Sequence, residues 1–240
     1  MSDRTEAPEI FDGIAPQYSW MGAIWSFGQD ARWRRTMVAN VSAIPGARVL
    51  DVAAGTGLVS RELAARKLAN VVSLDANEPM LRAGLPANDA AGLGARITPI
   101  LARAEALPFP DASFDAVTFT YLLRYVDDPG TVLAELVRVL RPGGSLASLE
   151  FHEPDAPLLR TGWRAYTRVV MPVVGAVVSR DWYRTGRFLG PSIERFYRRA
   201  PLPEQVRWWQ EAGMRHVRTR VMSLGVGVVI WGVKAATRAP

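Results

Sequence analysis

Cysteine is absent from the 240-residue chain, and histidine occurs only as His152 and His216. The lack of cysteine excludes disulfides, thiolate nucleophiles and cysteine-based metal sites. Two histidines are too few for the histidine-rich zinc sites of metalloenzymes. We therefore expect chemistry that uses no metal ion.

Long apolar segments are also absent. The longest apolar run, residues 169–178, is interrupted by Pro172 and Gly175 and is too short to cross a bilayer. Residues 1–6 lack the apolar core of a signal peptide. These patterns predict a cytoplasmic protein that can lie against the inner face of the membrane without spanning it.

Lysine is scarce, although the chain is basic. Lys67 and Lys234 are the only lysines among 29 basic residues, and the formal net charge is +6. Arginine prefers planar, bidentate partners such as carboxylates and phosphates. Lipid headgroups or nucleic acid would suit such a chain, and an arginine-rich genome would explain the same composition without any partner.

Strands and helices alternate along most of the chain. Apolar runs predict strands over 48–52, 71–75, 97–101, 114–119 and 145–149, with closing strands near 216–223 and 225–234. Helices are predicted over 29–43, 58–67, 79–83, 129–140 and 203–212. This alternation predicts an α/β fold with a doubly wound, Rossmann-like parallel sheet.

We interpret the chain as a single domain, 1–240, with four parts. Residues 1–45 form an aromatic-rich, helical N-terminal arm, and residues 46–151 form a cofactor-binding core. Residues 152–202 break the strand–helix rhythm and are predicted to be a helical cover over the substrate. Residues 203–240 supply the last helix and the closing strands.

A glycine-containing loop follows the first predicted strand. Asp51 lies near the end of that strand, and the small residues Ala53, Gly55 and Gly57 lead into the next helix, where they let a ligand approach the backbone. Asp75 ends the second strand, where its carboxylate can bind both hydroxyls of a ribose. Ligands of open α/β sheets bind at this edge, so we expect a nucleoside-containing cofactor here.

Two cofactor classes use an acid at this position, and the loop separates them. The dinucleotide fingerprint needs a third glycine beneath the pyrophosphate, but the stretch from Gly55 reads Gly-Thr-Gly-Leu-Val-Ser. S-adenosylmethionine has no pyrophosphate, and Asp51 could attract its cationic end. The loop therefore favours S-adenosylmethionine, although glycines that merely turn the chain remain an alternative.

Further motifs carry a family resemblance. The chain resembles the UbiE-type quinone C-methyltransferases, which methylate the ring of a prenylated quinol. The matching residues are Phe11, Asp12, Ala15, Tyr18, Met21, Ser26 to Gly28, Trp33 to Arg35, Glu105 to Pro110, Arg138 to Gly144, Glu150, Phe151, Pro154, Phe188, Leu189, Ser192, Ile193, Ala212 and Gly213. The resemblance implies a class I methyltransferase fold, with a mostly parallel seven-stranded sheet whose last strand is antiparallel.

The resemblance also implies which residues bind the cofactor. They are Thr56, Asp75, Arg103, Ala104 and Thr120, and Ala76, next to Asp75, is a further candidate. Arg103 departs from the family, which has a small amide or acid there, but the Ala104 N–H can still face the adenine. No metal is implied.

Departures from the family concentrate on the substrate side. They fall at Ser19, Gly22, Leu122, Tyr125 and Ile230. The predicted acceptor is a hydrophobic or lipid-like small molecule, a prenylated quinol first and a phospholipid amine or secondary metabolite as the alternative. A nucleic-acid methyltransferase or a non-enzymatic binding protein is disfavoured, because the fourth strand is not followed by the Asn/Asp-Pro-Pro-Tyr/Phe stretch of amino-methylating DNA enzymes.

Two residues are candidates for catalysis. Arg124 follows the fourth strand and could stabilise a substrate phenolate; the alternative is a surface ion pair with Asp127 or Asp128. His152 follows the fifth strand and could act as a general base, against an exposed or capping role.

Aromatic and aliphatic residues are candidates for holding the acceptor. Tyr18, Tyr121 and Tyr125 are predicted substrate contacts. A helical stripe could accommodate an isoprenoid tail or could be ordinary core; its members are Trp163, Tyr166, Val169, Val170 and Val173. Arginines near this stripe are compatible with an interfacial membrane contact, and a homodimer is also expected.

Overall fold

The computed structural model describes residues 11–236, and within them the chain forms one seven-stranded sheet. The strands are β1 Arg48–Val52, β2 Asn70–Asp75, β3 Ile97–Leu101, β4 Phe114–Thr120, β5 Leu140–Phe151, β6 Met214–Met222 and β7 Gly227–Lys234. Their order across the sheet is β3-β2-β1-β4-β5-β7-β6. Strand β7 runs antiparallel to both β5 and β6, whereas the other neighbours pair in parallel.

Helices cover both faces of this sheet. They are α1 Tyr18–Trp25, α2 Gln29–Ala39, α3 Leu58–Arg66, α4 Glu78–Ala90, α5 Pro129–Val139, α6 Pro157–Ala165, α7 Met171–Val178, α8 Arg180–Arg199 and α9 Leu202–Glu211. A π-helical turn, Tyr166–Val170, joins α6 to α7. None of the helices in the described part of the chain is long and apolar enough to cross a membrane.

Alternating residues of β1 build two separate cores. Val49 packs with Trp33 of α2 and Leu63 of α3, whereas Leu50 packs on the other face with Leu133 of α5. Successive side chains of a strand point to opposite faces of the sheet. A strand covered on both faces is therefore mostly apolar, as Val49, Leu50 and Val52 are, and the one buried acid of β1, Asp51, is held by hydrogen bonds.

Most predicted elements are confirmed, and the differences have local causes. Strand β5 begins at Leu140 and not at residue 145, because a register shift that places the extra residues in β5 lets Leu140 pair with Phe114. Helix α2 ends at Ala39, where the Asn40 amide donates to the Thr36 carbonyl. Helix α4 continues to Ala90, although Gly84 and Pro86 within it resemble helix breakers in the sequence.

Residues 1–10 of the predicted arm lie outside the described residues, and the rest of the arm packs against the helices α6 to α8. The Tyr166 hydroxyl donates to the Trp25 carbonyl at 2.8 Å, and the rings of Trp25 and Trp182 meet edge to face at 4.9 Å. Helices α7 and α8 approach closely where Gly186 faces Pro172, since a Cβ at Gly186 would lie 2.8 Å from the proline backbone. These helices form a roof beside the carboxyl ends of the parallel strands.

Candidate active site

A cavity of about 1010 Å³ lies at the carboxyl ends of β1, β2 and β4, beneath the arm and the roof helices. Most of the lining side chains are apolar. The predicted cofactor-site residues on its wall are Ala53, Gly55, Thr56, Asp75, Ala76, Arg103, Ala104 and Thr120. Binding at this edge is what the doubly wound sheet predicts.

The glycine loop is held close to helix α4. Gly55 has a positive φ of 56°, and Gly57 has one of 75°, conformations that glycine adopts without strain. A Cβ at Gly84 of α4 would lie only 2.6 Å from the Thr56 carbonyl oxygen. Glycine at position 84 therefore lets the helix support the loop directly from behind.

Asp75 connects the loop to the second strand. Its Oδ2 accepts from the Gly55 N–H at 2.7 Å, and its Oδ1 accepts from the Asn77 N–H at 2.8 Å. Burial raises the pKa of Asp75, although these backbone donors oppose the shift. Each carboxylate oxygen can accept a further hydrogen bond. The acid, the small loop residues and the cavity together fit the ribose and amino-acid parts of S-adenosylmethionine.

The structure does not bring Asp51 or Gly57 to the cavity wall. Asp51 is fully buried behind the loop, where it accepts from Ser60 Oγ at 2.6 Å and Thr118 Oγ1 at 2.8 Å. Burial raises the pKa of Asp51 to about 6 against the effect of these hydroxyls. Its side chain points away from the cavity, so the geometry does not support a direct contact with the cationic end of the cofactor.

Two residues of α5 anchor the loop after β3; Glu135 was missed by sequence reasoning, and Arg138 was named only as a family match. Glu135 of α5 accepts from the Leu107 N–H at 2.8 Å, and Arg138 donates to the Phe109 carbonyl at 2.9 Å. Arg103 pairs with Glu105 at 2.8 Å. The spacing of Glu135 and Arg138 on one helix face was the available signal.

Arg124 is buried, contrary to the alternative of a surface ion pair. Its Nε donates to Glu150 Oε1 at 3.0 Å, and its guanidinium lies 4.7 Å from the centre of the Tyr125 ring. Asp128 instead caps α5 by accepting from the Gly130 N–H. Burial lowers the pKa of Arg124, but Glu150 and Tyr125 raise it by more than burial lowers it, so the net shift is upward. The cavity wall therefore carries a permanent cation.

The three predicted substrate tyrosines, Tyr18, Tyr121 and Tyr125, all line the cavity. The Tyr121 ring stacks on Phe151, and its hydroxyl donates to Asp30 Oδ1 at 2.7 Å. Burial, aided by Tyr125, raises the pKa of Tyr18 to about 12. Asp30 also lines the cavity and was missed, because no local pattern connects α2 with the end of β4.

His152 lies away from the cavity wall. It is buried, its Nδ1 lies 2.8 Å from the Gly225 carbonyl oxygen, and its ring meets Tyr197 edge to face. The His152 ring is thus held inside the fold. This position fits neither the predicted general base facing the cavity nor the alternative of an exposed side chain. Among residues 11–236 no cluster of three or more histidine or carboxylate side chains could hold a metal ion.

Comparisons with known proteins agree with this geometry. The ubiE/COQ5 methyltransferase family matches residues 1–234. A ubiquinone/menaquinone biosynthesis C-methyltransferase of Geobacter sulfurreducens is 35% identical, covering 94% of this chain and 87% of the relative. A demethylmenaquinone methyltransferase of Thermus thermophilus is 37% identical, covering 92% and 97%.

Solved structures share the fold at low sequence identity. A putative S-adenosylmethionine-dependent methyltransferase of Methanococcus maripaludis superimposes with a TM-score of 0.63 at 16% identity, covering 100% of this chain and 96% of that one. A putative methyltransferase of Haloferax volcanii, in complex with the activator Trm112, gives 0.62 at 18% identity, covering 94% and 97%. The predicted fold, enzyme class and S-adenosylmethionine cofactor are confirmed. The chain belongs to the ubiE/COQ5 methyltransferase family.

Proposed function

We propose that the enzyme methylates a ring carbon of a prenylated quinol. The observation that carries this proposal is the buried Arg124 cation on the wall of a large, mostly apolar cavity that also contains Asp75. Such a cavity excludes water and accepts an isoprenoid tail, while the cation favours an ionised ring hydroxyl. The names of the Geobacter and Thermus relatives support the same acceptor.

The cofactor would lie between the glycine loop and the loop after β3. Asp75 would bind the ribose hydroxyls, Thr56 and Thr120 would contact the rest of the molecule, and the Ala104 N–H would face the adenine. When bound, S-adenosylmethionine supplies a methyl group activated by its sulfonium. Asp75→Ala should abolish cofactor binding in a calorimetric titration, and an unchanged affinity would contradict this placement.

Catalysis would come from alignment and from charge stabilisation. Holding two reactants in line can supply about 7–11 kcal/mol of the barrier. Arg124 cannot serve as a base because its guanidinium stays protonated, so its role would be to stabilise the phenolate. Arg124→Ala should lower kcat about 100-fold while cofactor affinity changes little, and Arg187→Ala on the exposed side of α8 serves as the matched control.

The acceptor itself needs a direct experiment. The enzyme is incubated with methyl-labelled cofactor and, in parallel, demethylmenaquinol, a phospholipid amine and a cell extract. Label on the quinol ring is the expected result. Label on the phospholipid amine, or on another product of the extract, would favour the alternative acceptor.

We also propose that the mouth of the cavity contacts a membrane. Three apolar side chains line the cavity and yet are largely exposed, and we call them the rim. They are Phe27, Leu158 and Leu224, which are 76%, 84% and 77% exposed. The Phe27 ring lies 5.4 Å from Tyr166, which leads into an exposed ridge at helical spacing. The ridge consists of Val169, Val173 and Val177. Exposed apolar patches of this kind mark interaction sites.

The charges around the mouth are compatible with an anionic lipid surface. Arg32 is exposed on the cavity mouth, and Arg168 precedes the ridge. Arg164 and Arg168 pair with Glu153 and Glu194, so the protein itself uses part of the predicted basic charge. The contact therefore rests mainly on the rim and the ridge, with the net charge of +6 in support.

Flotation with phosphatidylglycerol vesicles tests this contact. A Val173→Ser/Val177→Ser double variant should bind vesicles at least fivefold less, while methylating a short-tailed quinol at the normal rate. Ile44→Ser, at an equally exposed site away from the cavity, is the control. Unchanged vesicle binding would refute the membrane contact. If the double variant instead loses a dimer, the ridge belongs to a homodimer interface; the homodimer otherwise stays a prediction.

A further inference from the structure

Tyr121 is held rigidly at the cavity wall. It follows β4 directly with a φ of 55°, and its N–H donates to the Leu149 carbonyl at 3.0 Å. Its ring stacks on Phe151 with 4.5 Å between centroids and 19° between planes. A tyrosine side chain constrained at both backbone and ring keeps its hydroxyl in one place.

The partner of that hydroxyl decides what it can do. Tyr121 Oη donates its only proton to Asp30 Oδ1 at 2.7 Å. The oxygen can therefore only accept from a ligand in the cavity. A ligand group that meets Tyr121 must carry a hydrogen to donate, as a ring hydroxyl does.

Asp30 is placed to receive a proton. It lies in the first turn of α2, it is buried, and its other oxygen, Oδ2, pairs with Arg34. The guanidinium and the helix N-terminus keep Asp30 ionised, so the carboxylate carries no proton when the substrate binds. The tyrosine and the carboxylate thus form a short hydrogen-bonded chain from the cavity to α2.

We propose that Tyr121 and Asp30 take the proton that the quinol hydroxyl loses; this inference rests on the proposed function. The substrate O–H bond breaks and its proton moves to Tyr121 Oη, whose own proton moves to Asp30 Oδ1. The electron pair stays on the substrate oxygen. After methylation the proton returns from Asp30 through Tyr121 to the substrate oxygen, and the hydrogen of the methylated ring carbon leaves as a proton to water, so one proton is released overall.

Tyr121 and Arg124 both lie next to one aromatic ring, that of Phe151. Tyr121 stacks on Phe151, and the Arg124 guanidinium carbon lies 5.8 Å from the centre of the same ring. Tyr121 is then the catalytic residue that touches the substrate, and Asp30 acts through it. The charged and titratable groups around Tyr121 are Asp30, Arg34, Tyr18, Arg124 and Glu150.

The kinetic test uses the full-length enzyme with S-adenosylmethionine and a short-tailed demethylmenaquinol kept reduced. Asp30→Asn and Tyr121→Phe should each lower kcat about 100-fold, with the KM for the cofactor unchanged. Their remaining rate should rise with pH, because the quinol then ionises without help. The double variant should be no slower than the single ones, since the two residues act as a unit.

A binding test needs no turnover. Bound 4-nitrophenol should show phenolate absorbance at lower pH with the native enzyme than with Asp30→Asn. Tyr183→Phe, on the outer side of α8, should change neither measurement. Should Asp30→Asn fail to fold, Tyr121→Phe gives the same comparison.

Normal kcat and a normal pH profile in both single variants would overturn the inference. So would additive, pH-independent losses, which a purely structural role would produce. A native enzyme that leaves the quinol unmethylated would instead refute the proposed function, and this inference with it.

Discussion

Arg124 and Glu150 form an ion pair inside the protein, with Nε and Oε1 3.0 Å apart and the side chains only 1% and 9% exposed. Arg124 follows β4, and Glu150 lies near the end of β5, the neighbouring parallel strand. The pairing of these two strands therefore brings the charges together. A buried charge keeps its place only when it is compensated.

Glu150→Gln should destabilise the fold, because it leaves the Arg124 guanidinium buried without a countercharge. We expect the free energy of unfolding to fall by about 3 kcal/mol, measured by urea denaturation. Glu204→Gln removes one partner of the more exposed pair with Arg207 and should change stability by less than about 1 kcal/mol. Equal losses in the two variants would contradict a special role for burial.

Gly84→Ala should weaken cofactor binding although alanine favours helices. The new Cβ would lie 2.6 Å from the Thr56 carbonyl oxygen, which is backbone and can yield only if the loop moves. We expect about tenfold weaker S-adenosylmethionine affinity by calorimetry, roughly 1.4 kcal/mol. Gly162→Ala adds the same methyl group to α6, where no atom lies within 4 Å although the residue also lines the cavity, so its affinity should change less than that of Gly84→Ala.

Asp51 should make stability depend on pH. Burial raises its folded-state pKa to about 6, above its ordinary value, so the folded state binds this proton more tightly than the unfolded state. The resulting stabilisation is complete below the ordinary pKa and is lost as the pH rises through 6. Relative to Asp51→Asn, the native protein should lose about 2 kcal/mol between pH 4 and pH 7; parallel stability curves would refute this.

Ser19 should help the arm to close over the cofactor loop. Its Oγ lies 3.1 Å from Thr56 Oγ1, across the gap between α1 and the glycine loop. One such hydrogen bond contributes about 1 kcal/mol, so Ser19→Ala should weaken cofactor affinity a few-fold. Thr36→Ala, whose hydroxyl bonds within α2, is the control. A Ser19→Ala affinity equal to that of the control would remove the contact from cofactor binding.

Local patterns were enough to place most of the fold. Strand β1 and the loop after it are contiguous in the chain, and glycines mark the turn between strand and helix. The boundary of β5 was missed because it depends on a bulge that pairs Leu140 with Phe114 of another strand. Helix α4 was predicted too short, because Gly84 resembles a helix breaker in the sequence. Its glycine is needed for the close approach of the Thr56 backbone, which only the structure shows.

The sequence by itself determined the order of the elements, the cofactor loop and the acid at Asp75, because each depends on residues close together in the chain. Only the tertiary structure decided that Asp51 turns away from the cavity, that Arg124 pairs with Glu150, and that Tyr121 bonds to Asp30, 91 residues away. Burial and pairing of polar groups depend on which strands and helices become neighbours. Strand pairing and helix packing bring these partners together, and no local sequence pattern predicts which residues will meet.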